Sequence, residues 1–458
     1  MRTKSSPQLY IDFTLRSSKK IVLQYRNKYC AISEQLDENP QLLALLHRDL
    51  QLLSSSKKGR KSEYTSEQIL RALIVMFVEN EDYRNTTIRI ANSEFLQHFV
   101  RLGNKPVMDF TFLCKAFGVV RTETWKKVNE VLSRYAYGEG KISSEKLRVD
   151  TTAVETNIHY PTDSSLLWDG FRTLARLLKS VQSDLAKMGM VHRYHVKKVK
   201  KLAHYISRNA SKKSKGSRRK LRSIYKTLIA RAQGIVAIAE QAVLILRLIC
   251  DITCNAIADE LSHFIPLVNK VIDQAMRRVF DGEVVPASEK IYSLFEEHTE
   301  LLKRGKAGKS VEFGHKVLIA ETGEKFIIHY DAYPCQPADK DLVDVTLDAH
   351  HSVFNQMPDT FATDKGFYEN MEKLKQIEKQ IATVSIAKKG RRNPAETERE
   401  HSTAFRNGQR FRAGSEGTIS VLKRAFKLNL CRFKGFKNYA AGIGCAVFCH
   451  NLVMLARC

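Results

Sequence analysis

Apolar residues return every three or four positions through most of this chain, the spacing of amphipathic helices, and a few stretches break that rhythm. Helical patches run from Ile21 to Leu53. Thr65 with Gln68 reads as a capping box, opening a helix with Ile69, Leu70, Leu73, Ile74 and Phe77 on its apolar face. Helices are expected at Thr87 to Leu102, Phe110 to Phe117 and, after a break at Gly118, Thr122 to Tyr135; the last pair has helix-turn-helix spacing. From Lys146 to His159 the period changes. Leu147, Val149, Thr151 and Ala153 alternate with Arg148, Asp150, Thr152 and Val154, the pattern of a strand.

Helical spacing resumes with Leu166, Leu167, Phe171, Leu174 and Leu178 and continues through Leu301, with a loop at Ser207 to Ser217 and a long helix from Arg218 to about Cys250. Two alternating runs, VEFGHKVLIAE and KFIIHYDAY, flank a turn at Thr322-Gly323-Glu324 and predict a β-hairpin. A short strand ends at Asp364, another spans Ala382 to Ala387, and a basic loop leads to a helix that Ser415 can cap. Periodicity alone therefore predicts a mixed α/β domain with helical domains.

Charge narrows the partner. The 458 residues hold 75 Lys and Arg against 49 Asp and Glu, a formal net charge of +26, which favours a polyanion. The excess concentrates at His192 to Arg222, which contains no Asp or Glu and interleaves its cations with His192, Tyr194, His195, His204 and Tyr205. So one-signed a run suits a phosphate-tracking surface, with Lys197, Lys198, Lys200, Lys201, Arg218, Arg219 and Lys220 as the contacts. The basic SSSKKGRKS stretch, Ser54 to Ser62, reads as an exposed linker. The N-terminal residues lack the apolar core of a secretory signal, and the nine scattered cysteines suit a reducing cytosol. The apolar runs Gly234 to Cys250 and Tyr439 to Ala456 carry polar interruptions and read as buried helices.

Candidate chemistry rests on acids. Asp150 sits on a segment suited to a sheet interior, where an unpaired carboxylate is costly and calls for a hydrogen bond, a counter-ion or a metal. At a strand edge, the Thr151 and Thr152 hydroxyls would suffice. Asp364 follows a second strand, and Glu416 lies in the first turn of a helix. Three carboxylates converging from separate elements can hold two divalent cations about 3.5–4 Å apart, an arrangement that serves phosphoryl transfer. Asp331, at the end of the hairpin, is the strongest rival for the second acid. Asp163 and Asp169, at a cap and on a helix flank, suit structural work, and Asp339 or Asp341 can cap a helix.

LRVDTTAVETNIHYPTDSSLLWDG, then FATDKGFY, then Arg412, Glu416 and Lys423 in the spacing RxxxExxxxxxK together resemble the DDE transposases of bacterial insertion sequences, close to the ISNCY and IS-five-like groups. Where the wider group has Tyr three residues before the Arg, this chain has Gln409. The resemblance covers roughly Tyr64 to the C-terminus. It implies an all-helical N-terminal domain followed by a ribonuclease-H-like catalytic domain interrupted by a helical insertion. The implied boundaries are 1–62 for the N-terminal segment and linker and 63–140 for a helical DNA-binding domain. The catalytic domain would take 141–170 and 310–458, and the basic insertion 171–309. Asp150, Asp364 and Glu416 would hold two Mg²⁺ or Mn²⁺ ions, and Arg412 and Lys423, on the same helix as Glu416, would hold DNA phosphates. The implied partners are double-stranded DNA, as terminal inverted repeats and target, and a second copy of the chain on that DNA, in the bacterial cytoplasm. A nuclease of the same fold, or a DNA-binding protein without catalysis, are the alternatives.

Overall fold

The computed structural model describes residues 19–53, 62–249, 251–306 and 309–457. Most of the Ser54 to Ser62 linker and the first eighteen residues lie outside them, as do Cys250 and Cys458. In chain order the elements begin with α1 (Lys20–Glu38), α2 (Pro40–Leu50), α3 (Ser66–Val78), α4 (Tyr83–Ala91), α5 (Glu94–Val100), α6 (Phe110–Val119) and α7 (Thr122–Gly138). Next come β1 (Lys146–Thr156), α8 (Asp163–Ser180), α9 (Gln182–Lys187), α10 (Val196–Asn209), α11 (Lys215–Ile249), α12 (Ile252–Met276) and β2 (Glu300–Lys306). The chain continues with β3 (Lys309–Thr322), β4 (Ile327–Ala332), α13 (Val343–Phe354), β5 (Thr360–Ala362), α14 (Met371–Glu378) and β6 (Thr383–Ser385). It ends with α15 (Pro394–His401), α16 (Thr403–Ala413), α17 (Ser415–Ala425), β7 (Leu430–Cys431) and α18 (Phe436–Leu455). The architecture is mixed α/β, mostly helical with one mixed sheet.

Two compact units divide the chain: residues 1–157 with 314–458, and Ile158–Phe313. In the first, β1 is the central strand. It pairs antiparallel with β3 from Leu147↔Thr322 to Glu155↔Gly314, and β3 pairs antiparallel with β4. On its other edge β1 runs parallel to β5, which runs parallel to β6. Gly314 is required, because a Cβ there would meet the Val154 backbone, with Glu155 Cα only 2.8 Å away.

The core of this unit is built around α18, buried from Tyr439 to Val453. Small residues permit that: a Cβ on Gly444 would stand 2.6 Å from Trp125 Cβ of α7. Asn451 ties three elements together. Its amide donates to Asn129 Oδ1 and the Ile327 carbonyl, both at 2.8 Å, and its oxygen accepts the Ile327 N–H at 3.0 Å. α7, the second helix of the expected helix-turn-helix, packs against α2, α18 and β4, leaving Glu123, Lys127 and Arg134 outward.

The second unit is a helical bundle in which α8 packs on α10, α11 and α12. Gly170 of α8 lies against Val268 of α12, 2.7 Å from where a Cβ would be. α10 buries Val199, Ala203 and Ile206 and turns its cations outward.

Several local expectations are corrected. Thr87 to Leu102 is not one helix, because Ser93 caps a new one, accepting the Leu96 N–H at 3.3 Å. Gly118 lies inside α6 rather than breaking it. Helix does not persist to Leu301: α12 ends in a π-turn at Arg277–Asp281, and left-handed Gly282 (φ 72°) ends that turn. The basic stretch before the Glu416 helix is not a plain loop either. Asn393 and Glu396 form a capping box that starts α15, and α16 follows.

Candidate active site

Residues two apart on a strand share a face, so β1 presents Arg148 and Asp150 together. The β1–β5 register runs Lys146↔Thr360, Leu147↔Phe361, Arg148↔Ala362. Asp364 comes two residues later, past the end of β5 with its backbone still extended (φ −79°, ψ 172°), and close enough for its charge to act on Asp150. Its carboxylate caps the turn that follows, accepting the Gly366 N–H at 2.8 Å.

Asp150 is largely buried and fully engaged. One oxygen accepts the Thr151 N–H at 2.8 Å; the other accepts Ser415 Oγ at 3.1 Å and Arg412 Nη2 at 3.2 Å. Burial pushes the Asp150 carboxyl above its ordinary range and the Asp364 charge adds to that push, against the pull of Arg412, Ser415 and the Thr151 amide.

Arg412 and Glu416 were expected on one helix with Lys423. Instead α16 ends at Ala413 and α17 starts at Ser415, joined at Gly414 (φ −65°, ψ −20°). Arg148 packs at this junction. Its Nη1 donates to the Phe411 carbonyl at 2.9 Å, competing for the acceptor that would continue the helix. Its guanidinium stands so close to Gly414 that a Cβ there would lie 2.9 Å from Cζ. Ser415, expected as a cap, is the first residue of α17 and gives its hydroxyl to Asp150. Arg412, assigned to DNA phosphates by the resemblance, pairs with Asp150 and lies 3.9 Å from Glu416. The Glu416 side chain is 73% exposed. Lys423 follows two turns later on α17 and is half-buried.

Two neighbours were not foreseen in these roles. Arg148 pairs with Glu321 of β3 at 2.6 Å, both buried, and burial pushes the Glu321 carboxyl up despite that guanidinium. An Arg on the buried face of a predicted strand was the available signal, since such a cation needs a partner. Asp339, read as a helix cap, accepts Thr151 Oγ1 at 3.1 Å and Lys316 Nζ at 3.0 Å. A Cβ on Gly366 would meet Asp339 Oδ2 at 2.8 Å and Asp364 Oδ1 at 2.9 Å, so Gly366 lets the two carboxylates approach. Nothing in its own segment marks Asp339 for this. The rival acids are paired elsewhere: Asp331 with Lys126 at 2.8 Å, Asp163 with Arg278, Asp169 with Arg172 at 2.9 Å.

Among the described residues, no three His, Cys, Asp or Glu side chains stand grouped as a ready metal cage. The donor chemistry nonetheless suits a hard divalent cation, because Asp150, Asp364 and Glu416 all offer carboxylate oxygens. Arg412, between Asp150 and Glu416, marks a place where these acids already call for positive charge.

The cations Lys197, Lys198, Lys200 and Lys201 of α10, and Arg218, Arg219 and Lys220 of α11, are all exposed. Lys197, Lys200, Lys201, His204, Tyr205 and Arg208 line a groove of about 610 Å³ in the second unit. Lys220 crosses to α10, its ammonium 5.4 Å above the Tyr205 ring.

Comparison with known proteins adds one finding. Residues 275–452 match the family model described as Transposase DDE domain. The matched stretch contains Asp364, Arg412, Glu416 and Lys423 but not Asp150. It supports a DDE transposase family and a transposase function. No curated protein and no solved structure matches the chain.

Proposed function

We propose that the chain is a DDE-type transposase of the ISNCY or IS-five-like group of bacterial insertion sequences, acting in the cytoplasm as a homodimer on DNA. It cuts and joins the ends of its element by metal-dependent phosphoryl transfer. The observation that carries this reading is the convergence on Asp150 of β1: the Asp364 charge acts on it from just past the parallel strand β5, and Arg412 and Ser415 reach it from the helices around Glu416. The strand order β4-β3-β1-β5-β6, three antiparallel strands followed by two parallel to β1, supports a ribonuclease-H-like fold.

Asp150, Asp364 and Glu416 would hold Mg²⁺ or Mn²⁺, as two ions. Bound there, the metal supplies activation of the attacking hydroxyl and stabilisation of the leaving oxygen. The chain's own residues do the rest. Ser415 and the Thr151 amide fix the orientation of the Asp150 carboxylate, and Arg412 balances its charge. Burial strengthens each of these interactions by excluding water. The groups on α10 and α11 hold phosphates of double-stranded DNA, and such contacts position the duplex without reading its sequence.

Asp150→Ala, Asp364→Ala or Glu416→Ala should each abolish Mg²⁺-dependent cleavage of terminal-repeat DNA while leaving end binding largely intact. Gel assays of cleavage, joining and binding check this. Retained cleavage by Asp364→Ala would move the second acid to Asp331 or remove the assignment. Cut ends without joined product would make the protein a nuclease, and binding without any cut would make it a DNA-binding protein of the same fold.

A further inference from the structure

Gln409 lies on α16 one turn before Arg412, so both side chains leave the same face of one helix. Its amide nitrogen reaches the Ser385 carbonyl at 2.7 Å, Ser385 Oγ at 3.1 Å and the Thr363 carbonyl at 3.2 Å, two hydrogens shared among three acceptors. Those acceptors stand where β5 and β6 end side by side, at the register pair Ala362↔Ser385. Thr363 is the residue before Asp364.

The contact is built rather than incidental. α16 can come this close only because residue 408 is glycine, since a Cβ there would lie 2.5 Å from Ser385 Cβ. The Ser385 hydroxyl donates in turn to the Phe405 carbonyl at 2.9 Å, one turn back on the same helix. The Thr363 N–H is held by the Ser385 carbonyl at 3.2 Å. A strand end normally leaves its last carbonyls to water or a loop; here one side chain collects them.

We propose that Gln409 is a positioning residue for Asp364. One helix then locates both strand acids: Arg412 holds the Asp150 carboxylate of β1, and Gln409 fixes the backbone from which Asp364 projects off β5. The Asp364 carboxylate is tied to the Gly366 N–H, and its Cα is set by the Thr363 carbonyl next to it in the chain. Losing the clamp lets the β5 end shift relative to β1, and a displacement near 1 Å at a reacting centre can cost about 10²-fold in rate. This inference rests on the catalytic reading of Asp364 given above.

The test compares Gln409→Ala and Gln409→Glu with the parent chain. Glutamate keeps the shape but replaces two N–H donors with oxygens facing three acceptors, so it should be the worse of the two. Two readouts are taken. Amide hydrogen exchange, followed by mass spectrometry, should quicken in the 360–368 segment and stay unchanged in β1. The kcat for Mg²⁺-dependent DNA cleavage should fall about 10²-fold, with KM for DNA and the melting temperature nearly unchanged. Parent-like exchange and parent-like kcat in both variants would overturn the proposal, and so would an equal loss of stability across the whole unit. If exchange quickens locally but the parent chain itself never cleaves DNA, the clamp stands and the catalytic reading falls.

Discussion

Arg148 and the cations of α10 are chemically alike and are used in opposite ways. Arg148 is 4% exposed, and every observed contact of its guanidinium is inside the protein: the Glu321 carboxylate, the Phe411 carbonyl and the Phe411 ring 4.8 Å away. Lys197, Lys198, Lys200 and Lys201 stand in solvent, on a stretch with no acid in sequence from His192 to Arg222. Taking a charge out of water costs several kcal/mol, so a buried cation persists only where the fold has supplied its partner. An exposed cation carries no such cost and need not find a partner within the chain. The buried charge reports on architecture, and the exposed run reports on what the molecule meets.

The sharpest way to break this contrast is to remove one half of the buried pair. Arg148→Met leaves Glu321 buried and uncompensated, and Glu321→Leu does the same to Arg148. Each should cost about 3–5 kcal/mol of stability. The double variant should recover most of that loss, because neither charge is then stranded; urea denaturation of the four proteins measures the coupling. Equal and additive losses would mean that the pair is not what holds β1, β3 and the α16–α17 junction together.

The exposed run should respond to salt instead. If its cations neutralise phosphates, the slope of log K against log salt is about −0.9 per phosphate on duplex DNA. Changing Lys197, Lys200, Lys201 and Arg218 to Gln should flatten that slope by up to about 3.6, so that raising salt from 50 to 200 mM weakens the variant roughly 10²-fold less than it weakens the parent. Folding stability should hardly move. Specific and nonspecific DNA should lose affinity alike. An unchanged slope would make the run a solvated face, and a loss confined to the specific site would mean that it reads bases.

The same contrast separates what could be read in the sequence from what could not. The β1 strand, the hairpin and the α10 surface are local patterns, set by side-chain alternation or by charge within a few residues. The places of Asp364, just past a short strand, and of Glu416, in the first turn of a helix, were also local readings. The partners of Asp150 were not, because Ser415 and Arg412 lie 265 and 262 residues away and meet it only after β1 and α16 pack. At Gly414 the cap signal of Ser415 was local, but the guanidinium that packs against that glycine comes from β1 and was hidden for a similar reason. Asp339 looked like a helix cap, and only the pairing of β1 with β3 brings Thr151 and Lys316 to it. Capping boxes at Thr65 and Asn393 both formed, yet only the first was anticipated, since the second lay inside a stretch whose basic charge suggested a loop.

Protonation gives the finest probe of buried against exposed charge. His329 of β4 is held neutral: burial lowers its pKa from 6.5 to about 4, Asp331 opposing and Lys126 assisting. A histidine whose folded pKa is depressed stabilises the fold fully above its unfolded value. That contribution is lost as pH falls from about 6.5 toward 4, because the unfolded chain takes the proton first. At pH 5.5 the loss amounts to about 1 kcal/mol, at about 1.4 kcal/mol per unit. His195 is shifted the same way from a more open setting. It is only partly buried, at the start of α10, and although burial and Lys198 lower its pKa, it needs no refolding to accept a proton. Replacing His329 with Gln should therefore flatten the decline in stability between pH 6.5 and 5, and His195→Gln should flatten it less. Urea midpoints at half-unit pH steps would resolve the two. An unflattened curve for His329→Gln would locate the acid sensitivity at another buried histidine, with His450 of α18, also lowered to about 4 by burial, the next to test.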